Sequence, residues 1–463
     1  MSEKNHLKNE KVRICIIAIS CFFLLLNNLL SFKFLIDTNL DTIFGYLVCT
    51  ICFFCVYNGE ISFTRLKHPL VALIALFAII LTIISIYHGV LGYIAYSVYY
   101  LLLVVFLLGI NSKQQIELLL KGFCYAGVVV FTVLFVLSIM LSPLSGEQYA
   151  SFTGNPNALG AHVALCLLCG IYLFVHLNGW KKTIMAILDG LMLGFIVFSR
   201  SRTALLMGLV TLSFMVFHYI INKPSKNTAK VVILQCIIML SSIYISFFCI
   251  TSLANSIDKN GLHNFKEFLN EKCIVDVLEE RDTVNGNDNI VIQEENNNSA
   301  IENEDQNASN SIPFFDVVDA MIKRSLKGII DSGSFSSGRS TIWYNFITSF
   351  NFLGHENSKL EIETFDGIKE YNAHNSYIQV TYNFGIFAGV LYIAITLYSF
   401  VKMCRYFLQN IKQRRQYPIQ TFAMAIFANY LIYGLLASAV APFSYIVVLM
   451  FDVITLPYMI IEE

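Results

Sequence analysis

Apolar residues recur along this chain in long unbroken runs separated by short polar turns, and a helix needs roughly 20 such residues to cross the hydrocarbon core of a bilayer. Twelve runs of that kind are read, near 13–32, 39–57, 69–88, 90–110, 122–141, 157–177, 181–199, 203–221, 230–253, 375–401, 418–440 and 443–461. The pattern predicts an all-α polytopic membrane protein with about 12 transmembrane helices. The first run follows basic residues, as in a signal peptide. It is too long for one, lacks a small-residue cleavage site and precedes eleven further runs, so it reads as the first span. The chain divides into residues 1–253 with nine spans, a long polar loop at 254–374, and residues 375–463 with three more.

Basic residues sort the short connections into two sets, which is how orientation is read in such chains. With the N-terminus taken as cytoplasmic, the inner segments hold Lys4, Lys8, Lys11, Arg13, Arg65, Lys67, Lys113, Lys121, Lys181 and Lys182. Further along they hold Lys223, Lys226, Lys230, Lys402, Arg405, Lys412, Arg414 and Arg415. The short outer loops carry only Lys33, Arg200 and Arg202. Both termini are therefore expected in the cytoplasm, with the large loop extracytoplasmic.

Composition agrees with a bilayer as solvent. The 463 residues are 56% hydrophobic and 14% charged, with a mean hydropathy of +0.62, and a water-soluble enzyme is excluded because such a chain carries about a quarter charged residues. With 31 basic and 32 acidic residues, there is no cationic excess to neutralise phosphates, so nucleic acid is not an expected partner. Cys49, Cys52, Cys55, Cys166 and Cys169 resemble CxxC pairs but lie in apolar runs, and read as small buried hydrophobes. Cys273 alone lies clearly outside the spans, so no disulfide framework is expected. No internal repeat of the transporter kind is found.

The long loop is a different material, acidic and rich in Asn. Its part at 282–311 is too polar to bury a core and reads as a solvated insert without chemistry. Residues 313–330 place Phe314, Val318, Met321, Ile322, Leu326 and Ile329 at helical spacing, as in a helix lying in the membrane interface.

Candidate chemistry gathers on the outer side. Ser199–Arg200–Ser201–Arg202–Thr203–Ala204 forms a very short turn that holds two guanidiniums at the membrane surface, against the inside bias. A diphosphate is their natural partner, because a planar guanidinium offers paired donors to phosphate oxygens; snorkelling or helix-end capping by Ser201 and Thr203 is the bland alternative. Arg339 follows a Ser cap in SSGRSTIW, opening a helix with Trp343, Phe346, Ile347 and Phe350 on one face. His374, in YNAHNSY, sits at the mouth of the tenth span, where a neutral imidazole can take a proton from a sugar hydroxyl. Asn375 and Tyr377 are placed to orient it. In TGNPNALG, Asn155 caps the sixth span while Pro156 takes its first helical position, leaving amides beside Asn155 and Asn157 directed outward for an anion. His162 reads as a satisfied core histidine, and Asp189 and Asp452 as isolated mid-span acids. His355–Glu356 lacks the second histidine of a zinc-protease motif, so no metal or other cofactor is assigned.

In their order along a polytopic chain, GNPNALG, SRSRTALL, GRSTIW and HNSYIQVTYNFGIFAGVLY resemble the O-antigen ligase and O-antigen polymerase superfamily of bacterial envelope enzymes. The resemblance covers about residues 151–401. It implies a GT-C-like, metal-independent glycosyltransferase in the bacterial cytoplasmic membrane, using a polyprenyl-diphosphate-linked oligosaccharide as donor and a second glycan as acceptor. Membrane lipid and other polysaccharide-assembly membrane proteins are its implied partners. By position, Arg202 and Arg339 would hold the diphosphate and His374 would be the base; Arg200 is an additional cation without a counterpart. Relatives often show a Gly-x-Gly turn after the loop helix, where this chain has Gly354–His355–Glu356. The first expectation is a polymerase of lipid-linked repeat units. A ligase, transferring glycan to lipid A core, protein or wall polymer, shares the chemistry, and a polysaccharide transporter or flippase is the alternative of another class.

Overall fold

The computed structural model describes residues 2–34, 38–141, 149–151, 155–222, 226–254, 339–363, 369–413, 418–437 and 445–461. Among them ten helices are long and apolar enough to cross a membrane. They fall in α1 (Ser2–Phe34), α3 (Pro69–His88), α4 (Leu91–Gly109), α5 (Lys113–Leu141), α6 (Pro156–His176), α7 (Trp180–Ser199), α8 (Arg202–Asn222), α9 (Lys226–Phe248), α11 (Ser376–Gln413) and α12 (Pro418–Leu436). The chain is a multi-pass membrane protein. The other two predicted spans correspond to shorter apolar helices, Thr42–Val56 within α2 (Thr38–Val56) and Ile446–Ile461. The latter is α13 (Ile446–Met450) and α14 (Leu456–Ile461) joined through a π-helical turn at Phe451–Thr455. The solvated insert at 282–311, the amphipathic stretch at 313–330 and Cys273 lie outside the described residues.

Local chemistry sets the helix ends. His68 caps α3, its Nδ1 accepting from the Leu70 N–H at 3.2 Å, and Gly89 ends the helix in the left-handed region. Asn155 caps α6 as expected, its Oδ1 accepting from the N–H groups of Asn157 (2.9 Å) and Ala158 (3.2 Å). Close helix packing relies on small residues. A Cβ at Gly190 would collide with the Met239 carbonyl, and one at Gly194 would stand 2.6 Å from the Ser246 Cβ, so α7 meets α9 almost backbone to backbone.

Successive helices run up and down, so connections alternate between two ends of the bundle. One end holds the α3–α4 and α7–α8 connections and the carboxyl ends of α9 and α12, and is called the rim below. At the rim, α10 (Arg339–Thr348), residues 349–363, a two-residue antiparallel pair of β1 (Ile362–Glu363) with β2 (Lys369–Glu370), and the start of α11 form a small separate core. The core consists of Ile342, Phe346, Ile362, Ala373 and Tyr382. The packed face of α10 therefore runs through Ile342 and Phe346, one turn apart, while Ile347, expected on that face, is half exposed.

A break in α11 locks this module to the bundle. Gly385 leaves helical geometry (φ 80°, ψ 170°), a conformation essentially confined to glycine. Residues 376–384 fold back from it, so that Thr381 lies against Gly389 and the Tyr377 ring stands 5.5 Å from that of Tyr392. Into the break goes the backbone of 351–355: the Ile386 N–H donates to the Asn351 carbonyl (3.0 Å) and the His355 N–H to the Asn383 carbonyl (3.2 Å). Gly354, at φ 74°, faces Gly385, and a Cβ on either would collide with backbone of the other segment. Gly385→Ala is therefore expected to lower stability by about 1–3 kcal/mol or more. The measurement is thermal unfolding in detergent together with protease sensitivity of residues 349–375, which rises if the module detaches.

Candidate functional site at the rim

Two sequence motifs separated by some forty residues meet first. Gly160, on the first turns of α6, is pressed so tightly on the Ser199–Ala204 turn that an added Cβ would stand 2.7 Å from Ser199 Oγ and 2.8 Å from the Ala204 Cβ. Only glycine permits that approach, which explains its place in GNPNALG. The turn itself is held by capping. Ser201 Oγ accepts from the Ala204 N–H (3.4 Å), as the capping alternative anticipated, and Ser199 Oγ accepts from the Ser201 N–H (3.3 Å). Arg200 adopts a left-handed conformation (φ 52°, ψ 21°) and ends α7, whereas Arg202 opens α8 with its side chain exposed. A cation at a helix N-terminus opposes the helix dipole, and a bound anion would relieve that opposition.

The carboxyl end of α12 gathers the other candidates. The last carbonyls of a helix lack intrahelical partners. Here Arg339 Nη1 donates to the Leu436 carbonyl at 2.9 Å, Asn375 Nδ2 to the Leu435 carbonyl at 3.3 Å, and Ser376 Oγ to the Ala437 carbonyl at 3.0 Å. Arg339 and the His374 segment, over thirty residues apart in sequence, thus share one helix end. The α7–α8 turn lies at the same level. Helices α8 and α12 run antiparallel, with His218 beside Thr421 (3.4 Å) and Thr211 beside Asn429 (3.1 Å). Continuing that pairing brings Arg202 level with Leu436 and Ala437.

His374 is one of three described non-glycine residues with positive φ, at 49°; Arg200 is another. Such backbone is uncommon, although histidine is among the residues enriched in it, and its neighbours fix it here. The Ala373 carbonyl accepts from Trp343 Nε1 (2.8 Å), and the Ala373 N–H donates to Gln379 Oε1 (2.9 Å). On the other side, Asn375 Oδ1 accepts from the N–H groups of Tyr377 (3.0 Å) and Ile378 (3.2 Å), capping the segment that follows. Asn375, expected to orient His374, is engaged as a helix cap, and Tyr377, expected to do the same, packs on Tyr392. The backbone around His374 is instead positioned by Trp343 and Gln379. Gln379 is buried, and its Nε2 also donates to the Ser358 carbonyl (2.8 Å) and to Asn383 Oδ1 (2.9 Å). A glutamine buried at the start of an apolar span was the signal for this role.

His355 supports the same module. Its ring stacks on Tyr382 with centroids 4.1 Å apart, its Nε2 lies 2.7 Å from the Ser349 carbonyl, and its own carbonyl accepts from Tyr93 Oη at 2.7 Å. Among the described residues, no group of three or more His, Cys, Asp or Glu is placed to hold a metal ion. His162 departs from the satisfied core histidine expected: it is buried, and its Nε2 has no hydrogen-bond partner among the described residues. Asp452 accepts from Tyr99 Oη (2.9 Å), whereas both carboxylate oxygens of Asp189 are buried without a described partner. Asn157 is exposed on the first turn of α6, beside the outward-facing cap of Asn155. No protein-family model matches the chain, and no curated protein matches it.

Proposed function

We propose that this protein is a metal-independent membrane glycosyltransferase that polymerises lipid-linked oligosaccharide repeat units, with the rim facing outward from the bacterial cytoplasmic membrane. The observation that carries the reading is the level shared by Arg202, Arg339 and His374 around the end of α12. In the proposed step, the acceptor sugar hydroxyl attacks the anomeric carbon of the donor glycan, and the bond from that carbon to the polyprenyl diphosphate breaks. The bonding electrons leave with the diphosphate, and the hydroxyl proton passes to His374. Diphosphate is already a good leaving group, so catalysis chiefly requires stabilising its developing charge and holding the acceptor in place. Arg202, Arg339 and Arg200 supply the cations. The orientation follows from the basic residues crowded at the other end of the bundle, among them Arg13, Arg65, Lys67, Lys113 and Lys181. Deleting the gene in its host and resolving the surface glycan on a gel tests the reading. Loss of the ladder with a single repeat unit remaining is expected; loss of all attached glycan would identify a ligase instead, and an unchanged ladder would remove the assignment.

A further inference from the structure

A second cationic site lies at the opposite end of the bundle, independent of the transferase reading. Lys182, on the first turn of α7, is 8% exposed, an unusual depth for an ammonium. Its Nζ donates to Tyr219 Oη at 3.0 Å and stands 4.6 Å from the centre of the Phe174 ring and 5.5 Å from that of Tyr219. All these partners are uncharged. Glu117 and Glu10 pair with Lys121 and not with Lys182. One of three ammonium donors is thus used, and the buried charge has no described counter-ion, a costly state unless an anion supplies one.

Two histidines and a helix end share the location. His218, on α8, is 7% exposed, with Nδ1 3.4 Å from Thr421 Oγ1 and 3.3 Å from Asn222 Nδ2, and His176, at the end of α6, has Nδ1 2.8 Å from the Tyr172 carbonyl. Gly179 precedes α7 without a side-chain cap, and the first turn of the helix carries Lys181 and Lys182 with no acid. Cations there oppose the dipole of a 20-residue helix, and of its first N–H groups that of Lys182 donates to the Gly179 carbonyl (3.1 Å). A phosphate oxygen beside the ammonium would supply the missing counter-charge. Trp180, 70% exposed beside Lys181, is the kind of aromatic anchor that marks headgroup depth.

We propose that the ends of α6, α7 and α8 carrying His176, Lys182 and His218 bind a phosphate-bearing anion, either the headgroup of an anionic phospholipid or free phosphate. The test uses the full chain in nanodiscs of phosphatidylcholine, with or without phosphatidylglycerol, and reads the midpoint of thermal unfolding. Phosphatidylglycerol is expected to raise the midpoint of the wild type and of Lys181→Met, and to leave that of Lys182→Met unmoved. Lys182→Gln serves if the methionine variant does not fold. Inorganic phosphate, titrated into the phosphatidylcholine discs, separates the sources: a rise with phosphate alone identifies the free ion, and a rise only with phosphatidylglycerol identifies the lipid. The proposal is overturned if neither raises the midpoint, or if the rise persists in the Lys182 variants.

Discussion

Arg202→Ala is expected to cut polymer formation by about 100-fold or more while the protein remains inserted. The size follows from the loss of one preorganised donor to a developing anion, which costs roughly 100- to 1,000-fold in hydrolytic enzymes. Arg339→Ala is expected to match the loss in activity, with a stability cost besides, because its Nη1 caps the Leu436 carbonyl. A hydrogen bond from a charged donor contributes about 1.5–3 kcal/mol. Arg339→Lys separates the two roles, since an ammonium can still cap a carbonyl but cannot offer the paired donors that phosphate oxygens take from guanidinium. The checks are glycan ladders from cells carrying each variant and unfolding midpoints of the purified proteins. Full-length ladders in Arg202→Ala would mean that the rim cations do not serve a diphosphate.

Substitutions at His374 are expected to separate chemistry from loop shape. His374→Ala should lower the rate by about 100- to 10,000-fold, the range for losing a positioned general base, and should also strain the backbone, because φ at this position is 49°. His374→Gly removes the imidazole and relieves that strain. If the imidazole takes the acceptor proton, both variants fall to the same low activity, although the glycine variant is the more stable. Should His374→Gly retain wild-type ladders, the residue matters only for the path of the chain between Trp343 and Gln379, and another group is the base.

These expectations rest unequally on sequence and on fold. The long spans could be read directly, because a bilayer requires every backbone polar group to be satisfied within its own segment and so imposes long apolar helices. The caps at Asn155 and Ser201 were legible for a similar reason: a side-chain oxygen reaching an N–H two or three residues ahead is a local event. The supports of His374 were not legible locally. Trp343 comes from thirty residues upstream, and Gln379 reaches back from the following helix to a backbone group of Ala373. Asn375 and Tyr377 look like partners of His374 because they are adjacent in sequence, but helix geometry directs one to a cap and the other to Tyr392. The pairing of Gly354 with Gly385 was hidden as well. Each looks like an ordinary loop or helix glycine until the other segment is brought against it.

The amino-acid sequence by itself determined that this is a multi-pass helical membrane protein and where basic residues break the prevailing charge bias, since hydropathy and charge act residue by residue along the chain. Tertiary structure alone decided that Arg202, Arg339 and His374 occupy one level, because this depends on the antiparallel register of α8 with α12 and on the carbonyls left open at the end of α12. It also set Lys182 among uncharged partners at the opposite end, where its sequence neighbours give no hint of its burial. Packing between helices distant in sequence is a property of pairs of surfaces, and no single segment encodes it.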